Sequence, residues 1–376
     1  MELIFYLFIL VEAILISMFL TPVAMKAART LGFVDQPNSR KVHANPTPLL
    51  GGAAIYLTFL IVILGNIFLV WILRNWGNPQ GHFFQQLVAE AATHLPGVFI
   101  RKWELLGLIL GATVVFVLGL YDDRYTLRPL VKLGGQIGAA LIFSLFYYHA
   151  GNHDLLFITN AGVIFVLLII WIVGVTNSLN LMDNMDGLCA GVSIIALFFL
   201  SLVTYQLGKQ TFMILSMLTL MGALLGFLYH NFNPARIFMG DAGSMFVGFT
   251  IACLVVFSTF YTADSQTALT LAMPPVILAV PMFDTASVIA IRIKRGLPIY
   301  QADKNHFSHR LVALGLSHKN AVLLIYLISI CTGIGALLLS RVQLPGAIII
   351  LAQVIIILTI ILVLERAGQP NSKQNH

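Results

Sequence analysis

Long apolar runs follow one another along this chain, broken by short polar segments in which glycine, proline, asparagine and aspartate gather. A helix needs about 20 mostly apolar residues to cross a bilayer. Eleven runs approach that length, at about residues 3–25, 49–73, 105–121, 130–149, 160–176, 188–206, 211–229, 242–262, 269–291, 320–340 and 344–364. Some are short or interrupted by glycine. The pattern therefore predicts an all-α, polytopic integral membrane protein, a bundle of ten or eleven transmembrane helices. In the first run, Glu2 stands where a secretory signal would carry basic residues, and no clear cleavage site follows, so a retained helix is expected.

Composition points the same way. Of 376 residues, 59% are hydrophobic and 10% charged, with a mean hydropathy of +0.92. No water-soluble domain of this length has that balance. One integral membrane domain is expected over residues 1–376, with its chemistry in loops at about 26–48, 122–132, 177–187, 230–242 and 292–319. Cys189, Cys253 and Cys331 lie in apolar runs, without disulfide or metal spacing.

The polar segments divide unequally. Sixteen of the 21 Lys and Arg fall in one set of alternating loops and five in the other. The basic set is expected on the cytoplasmic side, with the N-terminus outside and the C-terminus inside. The net charge of +6 then reflects loop topology, and no nucleic-acid partner is expected. The same inner loops carry nearly all the unusual residues, so acidic and basic clusters share one membrane face.

The densest cluster is NSLNLMDNMDG (177–187), in which Asn177, Asn180, Asp183 and Asp186 follow at intervals of three. Residues three apart are neighbours on a helix face. Over all four residues a regular α-helix drifts by about half a turn, so a broken or tightened turn is expected there. Asp122 and Asp123 end the third run; adjacent carboxylates repel by about 4 kcal/mol at an effective dielectric of 20 and need a cation, a proton or full solvation. Taken alone, the pair reads equally as a solvated helix end. Lys132 is either an inner-face anchor or a phosphate ligand. Asp241, in FMGDAGS (238–244), is either the N-cap of the next helix or half of a site whose exposed amides favour an anion. Asp284 lies inside the ninth run, where a carboxylate is either functional or bonded to a neighbouring helix. His306, His309 and Arg310 form a basic patch suited to a diphosphate rather than to zinc. Oxygen-donor carboxylates and a carboxamide beside basic residues fit Mg²⁺ with phosphates.

Together RKVHANPTPLLGG, DDRYTLRPLVK, NSLNLMDNMDG, FMGDAGS and ADKNHFSHRLVALGLS resemble the polyprenyl-phosphate N-acetylhexosamine-1-phosphate transferases, over residues 34–318. The resemblance implies transfer of a sugar-1-phosphate, GlcNAc-1-phosphate by preference, from a UDP-N-acetylhexosamine to undecaprenyl or another polyprenyl phosphate, with release of UMP. It implies a bacterial plasma membrane location with a cytoplasmic active site, Mg²⁺ as cofactor with Mn²⁺ able to substitute, contact with membrane lipid, and room for a homodimer. Asp122 and Asp123 match the essential acidic pair, and Asp183 is grouped with them as catalytic. Lys132 matches a lysine near the lipid phosphate, and Asn180 and Asp241 match the residues that hold Mg²⁺. Asp186 and Phe238 match positions at the uracil; His306, His309 and Arg310 match the loop at the diphosphate and sugar. Lys41 matches a lysine of the first inner loop, and Asn177 is grouped with the substrate-binding residues. Asn184 stands where many members have glycine, and Ser308 where many have a third histidine. That last departure, with PTPLLGG, favours the GlcNAc branch over the phospho-MurNAc-pentapeptide branch. Direct transfer and a route through an aspartyl-phosphate both remain open. A secondary transporter would share the spans and carboxylates but should show inverted repeats and midplane polar groups; no clear repeat is present.

Overall fold

The computed structural model describes residues 2–36, 46–76, 82–155, 158–208, 210–258, 260, 267–298 and 306–367. They are almost entirely helical and fall into two compact units, residues 1–259 and 260–376. Ten of the described helices are long and apolar enough to cross a membrane, or eleven if one bent pair counts as a span. The protein is an all-α, multi-pass membrane protein.

The first unit runs α1 (Glu2–Leu31), α2 (Gly51–Trp76), α3 (His82–Ile100), α4 (Lys102–Tyr125), α5 (Pro129–His149), α6 (Ala161–Met182), α7 (Leu188–Gln206), α8 (Thr211–Asn231) and α9 (Gly240–Phe257). Between α1 and α2, β1 (Val34–Asp35) pairs antiparallel with β2 (Thr47–Pro48), Val34 opposite Pro48. Lys41 lies between these strands, outside the described residues.

α9 is the axis of this unit. From Ala242 to Val255 every residue is buried, which its composition permits because it carries no charge after Asp241. It packs on α4, α6 and α2, while α1 and α7 pack on α8. In a membrane the water-driven hydrophobic effect does not hold helices together, and close approach through small residues takes its place. The approach is close where α4 crosses α9. A Cβ on Gly119 would lie 2.4 Å from the Ala242 Cα. The N-terminus of α2 presses on the same point: a Cβ on Gly52 would lie 2.3 Å from the backbone nitrogen of Gly243. Loop backbone completes the clasp, with Gly51 N donating to Phe238 O (3.0 Å), Gly52 N to Met239 O (2.9 Å) and Phe238 N to Pro48 O (2.8 Å).

The second unit holds a 3-10 turn (Ala268–Ala272), α10 (Met273–Ile277), α11 (Ala279–Lys294), α12 (Phe307–Ala313), α13 (His318–Leu339) and α14 (Leu344–Ala367). The apolar run at 269–291 reads as one span in the sequence. In the structure it is two helical pieces bent by 71° at Leu278. Pro274, Pro275 and Pro281 flank the break, and each removes a helical N–H donor.

Gly119→Ala should lower the melting temperature of the detergent-solubilised protein, consistent with about 1–3 kcal/mol of overpacking. Gly65→Ala on α2, where an added Cβ meets nothing within 4 Å, should not. A thermal melt of the two variants side by side checks this.

Candidate active site

Six helix ends meet at one end of the first unit: the C-termini of α4, α6 and α8 and the N-termini of α5, α7 and α9. α4 delivers Asp122 and Asp123 in its last turn. The chain then turns through Thr126, whose φ of 50° is left-handed, and the Asp122 side chain closes the turn by accepting from Leu127 N at 2.5 Å. Pro129 starts α5 at once, which places Lys132 one turn in. Its ammonium lies 2.9 Å from Asp122 Oδ2 and 3.0 Å from Asp241 Oδ2. One lysine thus bridges carboxylates from α4 and α9.

Asp123 takes a different place. Its Oδ1 accepts from Asp241 N (2.8 Å) and its Oδ2 from Ala242 N (3.1 Å). Both carboxylate oxygens therefore cap the first amides of α9, whose own preceding residue, Met239, offers no capping side chain. The exposed helix start that FMGDAGS suggests as an anion site is filled by a carboxylate of the protein itself. Gly240 makes room for it: φ is +71°, and a Cβ there would lie 2.6 Å from Asp123 Oδ2.

α6 remains helical through Asn177 and Asn180 and stops at Asp183, and α7 begins after Gly187 at φ 75°. The expected break in the four-residue series is there. Asn180 Nδ2 donates to Asp241 Oδ1 (2.5 Å) and to Ser244 Oγ (2.9 Å). Asp186 Oδ2 accepts from Asn233 Nδ2 and Ala235 N, both at 3.0 Å, so one of its oxygens shapes the loop before α9. Asn231 pins the same loop, accepting from Gly187 N (3.0 Å) and donating to Ile237 O (2.8 Å). Asn184 needs no left-handed backbone; its amide donates to Leu181 O. Phe238 is half-buried beside this loop. Asn177 pairs with Gln136 of α5.

One lysine contacts two carboxylates of a cluster that also holds Asp123, Asp183 and Asp186, and two unit charges 4 Å apart interact by about 4 kcal/mol at an effective dielectric of 20. Asp183 bears the consequence. Withdrawal from solvent, then the charges of Asp241, Asp123 and Asp186, push its carboxyl up to about 8. The cluster lacks positive charge, and Asp241 is its reachable member: its side chain is 35% exposed, against 8% for Asp122. Among the described residues no three His, Cys, Asp or Glu are grouped to enclose a metal alone. Mg²⁺ does not ask for that, since it commonly takes one or two carboxylates and completes its shell with water and phosphate oxygens. Asp241 and the Asn180 carboxamide, whose oxygen a rotation of the amide would present, are hard donors of that kind.

The second unit arranges its own predicted residues. Asp284 is buried; it accepts from Phe307 N at 2.6 Å and lies 3.0 Å from His306 Nδ1. This fixes the start of α12 and gives Asp284 its bond to a neighbouring helix. Arg310 Nη2 donates to Ser287 Oγ (2.9 Å), and His309 is partly exposed on α12.

Known proteins resemble this chain over most of its length. Residues 105–259, the part of the first unit from α4 onward, match the model of glycosyl transferase family 4. A probable undecaprenyl-phosphate N-acetylglucosaminyl 1-phosphate transferase of Bacillus subtilis is 33% identical over 367 residues, 96% of this chain and 92% of that protein. A decaprenyl-phosphate N-acetylglucosaminephosphotransferase of Mycobacterium tuberculosis is 33% identical over 344 residues, 84% of this chain and 78% of that protein. An undecaprenyl-phosphate alpha-N-acetylglucosaminyl 1-phosphate transferase of Yersinia pestis is 26% identical over 331 residues, covering 85% and 80%.

The raised Asp183 carboxyl has a measurable sign. Its folded value of about 8 exceeds the ordinary 3.8, so the folded state holds an extra proton between about pH 4 and 8. Stability from this group is fully present below pH 4 and is lost as pH rises to 8. Melting in EDTA should show Asp183→Asn gaining on wild type as pH rises from 5 to 8.

With DDRYTLRPLVK, NSLNLMDNMDG and FMGDAGS at one helix-end cluster of the first unit and a relative 33% identical over 96% of its length, the chain belongs to glycosyl transferase family 4, the family of the polyprenyl-phosphate N-acetylhexosamine-1-phosphate transferases.

Proposed function

We propose that this protein transfers GlcNAc-1-phosphate from UDP-GlcNAc to a polyprenyl phosphate at the cytoplasmic face of a bacterial plasma membrane. UMP is released and a lipid-diphosphate-linked sugar remains. The observation that carries the reading is Lys132 held between Asp122 and Asp241, a cationic point beside carboxylates at the end of a membrane bundle. Every relative named above is described as a polyprenyl-phosphate N-acetylglucosamine phosphotransferase, which supports GlcNAc as the sugar.

The acceptor phosphate approaches from the lipid side, and Lys132 can turn from Asp241 to one of its oxygens while keeping Asp122. That oxygen attacks the β-phosphorus of the donor, and the bond from this phosphorus to the bridging oxygen breaks as UMP leaves. A phosphate monoester has a second pKa of about 6, so the acceptor is mostly dianionic at pH 7 and asks little of a base. Positioning by Lys132 therefore matters more than proton removal. Asp122 keeps the Lys132 ammonium in place for that oxygen. Asp241 and Asn180 would hold Mg²⁺, which when bound neutralises the donor diphosphate and the charge developing on UMP. Asp123 has both oxygens committed to α9, and Asp122 has its own on Leu127 N and Lys132. Neither is a free nucleophile, which favours direct transfer over an aspartyl-phosphate.

Membranes containing the protein, incubated with Mg²⁺, undecaprenyl phosphate and UDP-GlcNAc, should release UMP in step with lipid-linked GlcNAc. Asp241→Ala should lower that rate by about a hundredfold or more. Labelled UMP should not enter UDP-GlcNAc when acceptor is absent; exchange there would overturn direct transfer. Wild-type membranes that release no UMP from UDP-GlcNAc would overturn the proposed reaction.

A further inference from the structure

One helical turn deeper than the charged cluster lies a second polar layer that the reaction does not use. Asn177 Nδ2 donates to Gln136 Oε1 at 2.7 Å, and Gln136 Nε2 donates back to Asn177 Oδ1 at 3.3 Å. Gln136 Nε2 also lies 3.3 Å from Met245 Sδ, and Asn177 Nδ2 donates to Val173 O at 2.9 Å. Gln136 is 2% exposed.

The layer joins the same three helices as the site above it, and adds a direct link between α5 and α6. Gln136 follows Lys132 by one turn on α5, Asn177 precedes Asn180 by one turn on α6, and Met245 follows Asp241 by one turn on α9. The same three helices are thus joined twice. A helix turning by about 20° moves an atom about 5 Å from its axis by about 2 Å, enough to break the 3.0 Å contact between Lys132 and Asp241. That ion pair alone does little to prevent such a turn, because Lys132 still keeps Asp122 when the Asp241 contact is lost. A short amide pair with two opposed bonds prevents it. Hydrogen bonds between membrane helices add little stability on average, so the effect of this pair is on register.

We propose that Gln136 and Asn177 are positioning residues, whose amide pair fixes the rotation of α5 against α6 and so sets Lys132, Asn180 and Asp241 for phosphate transfer. Asn177 is then no ligand of the substrate: its amide nitrogen and oxygen are both committed inside the protein. The catalytic part of this inference rests on the proposed transferase reaction.

Gln136→Met and Asn177→Leu keep the size of each side chain and remove the amides. Each should lower kcat about tenfold and leave the donor KM within about twofold, since misplacing reacting groups by about 1 Å can cost up to a hundredfold. The double variant should be no slower than the worse single one, because one pair is lost either way. The exchanged pair, Gln136→Asn with Asn177→Gln, should recover kcat to within about threefold of wild type. A tenfold rise in donor KM for Asn177→Leu alone, or single effects that multiply in the double variant, would overturn the proposal. If wild-type protein releases no UMP from any UDP-N-acetylhexosamine, the reaction fails and the pair is decided by melting temperature alone. Non-additive losses across the four proteins then support it, and additive losses overturn it.

Discussion

The first amides of α9 are satisfied by a carboxylate on another helix, and the site depends on that bond pair. A helix start buried in a membrane bundle needs partners for its N–H groups, because hydrocarbon supplies none. α9 opens with Met239 and Gly240 and has no capping side chain of its own. Asp123 of α4 supplies both oxygens. The position of Asp241, whose own N–H is one of the two, is therefore set by α4. The glycines at 119 and 240 are the steric condition for this bond, since either Cβ would push α4 and α9 apart.

Around that joint the protein maintains an electrostatic deficit. Lys132 offsets part of the charge of Asp122 and Asp241, Asp123 is turned onto backbone amides, and Asp183 answers the remainder by holding a proton. A soluble protein would solvate such a cluster. A membrane protein keeps it where its ligands bring positive charge or take the place of water. The adjacent aspartates 122 and 123, identical in type, do different work because successive residues of a helix point about 100° apart.

Much of this is legible in the amino-acid sequence. The spans, the broken turn after Asn180 and the meeting of residues 122, 132, 180 and 241 at one end of the bundle follow from apolar run length, from spacing by three and from the family resemblance. The roles within the cluster do not. That Asp123 caps a helix about 120 residues away, and that Asn177 meets Gln136, are contacts between distant segments, and neither leaves a local pattern. Asn231 reads only as one polar residue in an asparagine-rich loop, although its two bonds hold the ends of α7 and α9 together. The bend in the span expected at 269–291 has a physical reason that run length does not register: three prolines cluster around it.

The borrowed cap also bears on how the protein is made. α9 is the last helix of its unit to be synthesised and the most enclosed, with every residue from Ala242 to Val255 buried. It cannot complete its first turn until α4 is in the bilayer, nor seat itself until α2 and α6 stand on either side. Chains are built from the N-terminus, and their parts fold in that order. The slot for α9 is thus lined by helices made before it, and its arrival is the step that brings Asp241 to Asp123 and Lys132.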